Sequence, residues 1–222
     1  MRIRGFRLFV AVTLPLSGLA CDSLTGINEM FDHRLVGIAV DQGSIVEVGD
    51  TVRLTAAGDV DGVLGILMYD PVLDTRWSVS DPTVAQLQPL PLPPPEDSFP
   101  RARTLVRGLR PGLTSVTATA RGVSGQASVR VIPVLHTIQL RTARDTVVVG
   151  DTISVTAAAL DASGTTISEL PVTFTVGGGL QLNGWKDSTA RVIAIAAGPG
   201  TMGARFRRVF GETEIVVLPR GP

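Results

Sequence analysis

Few side chains in this sequence could do chemistry. There are two histidines, His33 and His136, and one cysteine, Cys21. A nucleophile needs a base held beside it, and neither histidine lies in a motif that would supply one. Gly-x-Ser-x-Gly, His-Glu-x-x-His and a phosphate loop are absent from the sequence. Gly177-Gly178-Gly179 follows a strand pattern but opens no helix, so it lacks the N–H cradle of a phosphate site. Asp59-Val60-Asp61-Gly62 has the start of a calcium loop. Such a loop needs about six oxygen ligands and a closing Glu, whereas Gly65-Ile66-Leu67 follow here. Asp161-Ala162-Ser163-Gly164 stands at the matching place later in the chain, so a hairpin turn is expected at both. The sequence thus predicts no catalytic residue, no metal and no cofactor.

The residues that could meet a partner are apolar and aromatic. Trp77 could be a sugar-stacking platform, but its place on a central strand favours the core between two sheets. Phe174 takes the equivalent core place further on. Trp185 follows Asn183-Gly184, a strong hairpin signal. An exposed Trp185 could bind a glycan; an inward Trp185 would be core, and the inward placement is favoured. Val63 to Tyr69 is an apolar insertion whose Met68 and Tyr69 are candidate partner contacts if exposed. The favoured expectation is that it prolongs a strand into the core. Pro89 to Pro95, with Pro93 near its centre, predicts an extended polyproline-like loop over 89–100. It could be a ligand for a groove, or a stiff solvated excursion.

The N-terminus predicts a targeting signal. Arg2, Arg4 and Arg7 precede an apolar run, Leu8 to Leu16, that is too short to span a bilayer. Small residues Gly18 and Ala20 lead to Cys21. A lone Cys in a secreted chain pairs elsewhere, stays free or is modified. The Ser17-Gly18-Leu19-Ala20-Cys21 stretch resembles a bacterial lipobox, with Gly18 where Leu is usual. That resemblance implies cleavage after residue 20 and a lipid on Cys21. It leaves 1–20 as signal peptide and 21–34 as a lipidated Cys with a polar tether. The alternative is cleavage at the same bond with a free thiol.

The rest of the chain repeats itself. Val48-Gly49-Asp50-Thr51-Val52-Arg53-Leu54-Thr55-Ala56 returns as Val149-Gly150-Asp151-Thr152-Ile153-Ser154-Val155-Thr156-Ala157. Leu109-Arg110-Pro111-Gly112 is echoed by Ala197-Gly198-Pro199-Gly200, and both units close on a Val-rich strand ending at Pro133 or Pro219. Gly-Asp and Pro-Gly pairs predict turns. Between them apolar residues alternate: Val52, Leu54 and Ala56; Ile153, Val155 and Ala157; Val116, Ala118 and Ala120; Met202, Ala204 and Phe206. About seven short strands per unit predict an all-β chain of two tandem immunoglobulin-like sandwiches. The expected units are 35–133 and 134–219, with Pro133 stiffening the joint.

The first unit is similar to the bacterial immunoglobulin-like group 2 family. The likeness rests on Val48-Gly49-Asp50, Trp77-Ser78-Val79-Ser80-Asp81, Val84-Ala85, and Pro111-Gly112 before a Thr-rich strand. Val79 replaces a usual Ser, and the second unit has Val172-Thr173-Phe174-Thr175 where Trp-Ser would be. The resemblance implies a β-sandwich repeated in bacterial surface proteins, and no chemistry. Twenty basic and twenty acidic residues cancel, which argues against a nucleic-acid partner. The expectation is therefore a non-enzymatic lipoprotein of the bacterial cell envelope, on its periplasmic or outer-membrane face. The membrane is its partner through the lipid, and its sandwiches serve binding, adhesion or spacing. The alternatives are a glycan- or peptidoglycan-binding lipoprotein and an accessory subunit of an envelope enzyme.

Overall fold

The computed structural model describes residues 35–60, 68–70, 72, 74–90 and 101–221. The chain first runs β1 (Leu35–Val40), β2 (Ser44–Glu47), β3 (Thr51–Val60), β4 (Met68–Asp70), β5 (Arg76–Val79) and β6 (Ala85–Pro89). β7 (Ala102–Gly108), β8 (Gly112–Ala120) and β9 (Val123–Ile132) follow. Then come β10 (Leu135–Thr142), β11 (Thr146–Val148), β12 (Thr152–Asp161) and β13 (Thr173–Gly178). The last strands are β14 (Leu180–Lys186), β15 (Thr189–Ala194), β16 (Gly198–Phe206) and β17 (Val209–Leu218).

These strands pair into four sheets. The first two have orders β1-β3-β7-β6, with β4 also on β3, and β2-β9-β8-β5. The other two repeat them as β10-β12-β15-β14 and β11-β17-β16-β13. In immunoglobulin lettering each pair is ABED against GFC, with a split first strand whose second half joins the last strand in parallel. The chain is therefore all-β, with two immunoglobulin-like sandwiches in tandem.

Alternation explains the cores. Along β8 the buried positions are Thr114, Val116, Ala118 and Ala120; along β16 Met202, Ala204 and Phe206 alternate inward, with Gly200 and Gly203 buried as well. Two clusters result. Leu54, Val46, Val106, Val116 and Val129 centre the first, and Val155, Phe174, Val192, Met202 and Ile215 the second. β14 and β13 are each the last strand of their sheet in the second sandwich, as β5 and β6 are in the first.

Both sandwiches share a close approach between sheets. A Cβ added at Gly125 of β9 would lie 2.0 Å from the Ile38 carbonyl oxygen of β1. At Gly211 of β17 it would lie 1.9 Å from the Ile138 oxygen of β10. Only a glycine lets the first strand cross the last one this closely.

Two expected turns lie elsewhere. Asn183-Gly184 sits inside β14, and the hairpin to β15 turns at Asp187-Ser188, with Asp187 at φ 53°. Pro199-Gly200 sits inside β16, paired to Val216 and Ile215. Gly200 is there for space, since a Cβ would meet Leu180 Cγ at 2.5 Å. Strand pairing makes Gly198, rather than Gly200, the counterpart of Gly112, because Gly112 faces Val131 and Gly198 faces Val217.

Candidate functional site

Phe174 reaches the second core from β13 and is 3% exposed. Trp77 is different: it packs against the first core while remaining half-buried. Both strands are the last of their sheets, so edge position does not separate them; β5 is the shorter, with four residues against six in β13.

Trp185 overturns the favoured inward placement, being 51% exposed. Its cross-strand partner Ala190 is fully buried, and regular pairing would put both on the core face. Between Leu182 and Trp185 β14 uses one residue more than β15, which brings Trp185 opposite Ala190 rather than Thr189. Gly184, at φ 102°, accommodates this bulge. Trp185, two residues before the turn to β15 and on the last strand of its sheet, is exposed all the same, and its indole borders an open depression of about 450 Å³. Ser154, Asn183, Lys186, Thr189 and Arg191 line it with Trp185.

Among the other candidates, Met68 and Tyr69 form part of β4, paired to Val60 and Asp59. The apolar insertion thus ends in a short strand of its own that extends the first sheet. Residues 61–67 lie outside the described residues, as do Cys21, His33 and Pro93. His136 is exposed near the start of β10. Gly178 and Gly179 are fitted against backbone: added Cβ atoms would lie 2.2 Å from Pro199 O and 2.0 Å from Ala196 O. Asp161 forms a turn, accepting Ser163 N–H and Thr165 N–H at 2.9 Å each and the Ser163 hydroxyl at 2.6 Å. The Ser163 hydroxyl, then the Thr165 N–H, hold its carboxyl below the ordinary Asp range. The Thr83 hydroxyl and N–H do the same for Asp81. Among the described residues no group of three or more His, Cys, Asp or Glu is placed to hold a metal. Nor is any helix there long and apolar enough to cross a membrane.

The contacts that sequence reasoning missed lie where the sandwiches meet. Arg207, in the β16–β17 turn, donates to the Ile45 carbonyl of β2. Its guanidinium is 3.8 Å from both Glu47 Oε1 and Asp50 Oδ2, and 5.5 Å from the Phe206 ring. Arg130 of β9 donates to Ser168 O at 2.9 Å and Glu169 O at 3.3 Å. Glu47 Oε2 accepts from Leu135 N at 3.4 Å. Ile45 and Ile132 pack into the second core cluster. An exposed Arg in a two-residue turn carries no sequence signal of such a role. Beside this joint, a cleft of about 540 Å³ runs between Pro111–Leu113, Arg130–Pro133 and Thr165–Glu169.

Fold and surface together define a tandem immunoglobulin-like protein. Among solved structures it is similar to the surface layer protein SbsC, domains 4–9, at 15% identity and TM-score 0.35. That likeness covers 85% of this chain and 32% of the other. It is also similar to the Escherichia coli adhesin FdeC, at 20% identity and TM-score 0.39, covering 82% of this chain and 63% of that one. A third is the Yersinia pseudotuberculosis adhesin InvE, at 15% identity and TM-score 0.39, covering 85% and 59%. This chain thus spans less than two thirds of each of these three. No family model and no curated protein matches it. The fold class stands on the chain's own sheet order.

Proposed function

We propose that this chain is a lipoprotein of the bacterial envelope, anchored through Cys21, whose two sandwiches form a stiff, non-catalytic binding and spacing module. The observation that carries the reading is the joint. Only Pro133 and Val134 separate β9 from β10. Arg207 and Arg130 reach across from opposite sides, and Ile45 and Ile132 fill the space between. A connector this short, stiffened by proline and backed by contacts, holds the far end of the second sandwich at a fixed distance from the tether. The units 35–133 and 134–219 are then two links of one rod, with loops at their ends free for recognition. The group 2 resemblance in the first unit supports a bacterial surface setting. The Arg-rich start, short apolar run and lone Cys support lipid anchoring.

The test is the intact mass of the protein purified from its host, with the membrane fraction tracked. The expected product starts at Cys21, carries acyl chains, and leaves the membrane when Cys21→Ser is made. Retained Met1, or an unmodified Cys21 in a membrane-bound protein, would refute the anchor. Spin labels placed on the two sandwiches test the rod. One narrow distance distribution is expected, and a broad one would refute stiffness.

A further inference from the structure

We infer that the depression beside Trp185 is a binding site for an acidic saccharide, one carrying a uronate-type carboxylate. The inference rests on the binding-module reading and gives that module a ligand class. It does not depend on the anchor, so the two can fail separately.

Trp185 is one of two tryptophans in the chain and the more exposed of the pair. It lies on β14, the last strand of its sheet, just before the turn to β15, and stays exposed although its partner Ala190 is buried. The other exposed large aromatic, Phe210, has Arg205 5.9 Å from its ring. No ring or cation covers Trp185 in this way among the described residues. Its indole therefore offers a flat apolar face, which suits the C–H face of a pyranose.

The polar lining selects the rest. Ser154 and Arg191 are cross-strand partners on the outer face of the β10-β12-β15-β14 sheet. Lys186 and Arg191 bring two positive charges, and no acid lines the depression. Neither cation has an ion pair among the described residues. An Arg fork beside an ammonium suits a carboxylate, while the Asn183 amide and the Ser154 and Thr189 hydroxyls suit sugar hydroxyls. A cationic ligand is disfavoured by the same two charges. Bases also stack on Trp beside cations, but nucleic-acid sites continue along a basic groove. Here the neighbouring outward positions Thr152, Thr156 and Gln181 are exposed and uncharged; Arg141, opposite Thr156, adds a cation further along the face, and Asp187 beside Lys186 adds an acid.

The experiment is titration calorimetry on the folded chain with tetragalacturonate. The neutral galactose tetrasaccharide and a short dT oligonucleotide serve as comparison probes. A Trp77→Phe variant, in which Trp185 is the remaining tryptophan, adds a fluorescence readout. Saturable tetragalacturonate binding is expected, with a blue shift of Trp185 emission and at least about tenfold preference over the neutral sugar. Trp185→Ala should weaken binding at least about tenfold. Arg191→Gln, which leaves the indole in place, should weaken it several-fold and flatten its salt dependence. Circular dichroism would establish that both variants keep the fold. No saturable binding up to about 10 mM, equal affinity for the neutral sugar, tighter binding of dT, or an unaffected Trp185→Ala would each overturn the inference.

Discussion

Replacing Gly125 by alanine should separate β1 from β9 in the first sandwich. The new Cβ would lie 2.0 Å from Ile38 O, 2.8 Å from its carbonyl carbon and 3.1 Å from its Cβ. Relief of such an overlap requires a backbone movement of about 1 Å or more, since carbon contacts are comfortable near 3.5 Å. Ile38 is buried and paired with Gly58 of β3, so β1 cannot yield without disturbing that ladder as well. Overpacking costs about 1–3 kcal/mol, and a backbone obstacle puts this site at the upper end. Against that, Gly→Ala gains roughly 0.4–1 kcal/mol by restricting the unfolded chain. The net loss is about 2 kcal/mol. Gly37, on β1 itself, is the control: its added Cβ meets nothing closer than Asp59 Oδ2 at 3.5 Å. Gly37→Ala should be neutral or stabilising by up to ~1 kcal/mol, leaving about 3 kcal/mol between the variants. Urea unfolding at matched slope measures the difference. Gly211→Ala repeats the experiment in the second sandwich, against Ile138 O at 1.9 Å. If Gly125→Ala and Gly37→Ala fall within about 0.5 kcal/mol of each other, the range of ordinary surface changes, the close-approach argument is wrong.

Phe174→Ala should cost about 3–5 kcal/mol, whereas half-buried Trp77→Ala should cost nearer ~2 kcal/mol; equal losses in denaturant melts would mean that the difference in burial does not matter. Arg207→Glu places a like charge beside Glu47 and Asp50. It should broaden the interdomain spin-label distances while changing stability by about 1 kcal/mol or less, because these pairs are partly exposed; an unchanged distribution would remove Arg207 from the joint. Asp161 should titrate below the ordinary Asp range. The turn stability linked to its lowered pKa is present above the unfolded pKa and lost as pH falls through the folded one. The Ser163 amide shift followed by NMR should report this, and Ser163→Ala should raise the midpoint; a midpoint at the ordinary value in the unsubstituted chain would contradict it.

Alternation with period two is local, and it was enough to place most of the strands. Val116, Ala118 and Ala120, or Met202, Ala204 and Phe206, can only form an inward row if the chain is extended there. The repeated Val-Gly-Asp segment then made two sandwiches legible. The candidate site was legible only in part. Its Trp could be named, yet its register opposite Ala190 depended on one extra residue in β14, and its exposure on what the edge of the sheet leaves uncovered; a bulge is defined only against a partner strand. The Pro-Gly echo misled for the same reason: similar dipeptides sit two positions apart in strand register, which only pairing reveals. Gly125 and Gly211 looked like ordinary strand glycines because the carbonyls they admit are more than seventy residues away in sequence. Arg207 lies 162 residues from the Ile45 carbonyl to which it donates. The inward rows follow from each residue and its neighbours, so the sequence alone determined them. The exposed indole, the wedged glycines and the charged joint depend on which distant backbone arrives alongside, and only tertiary structure decided that.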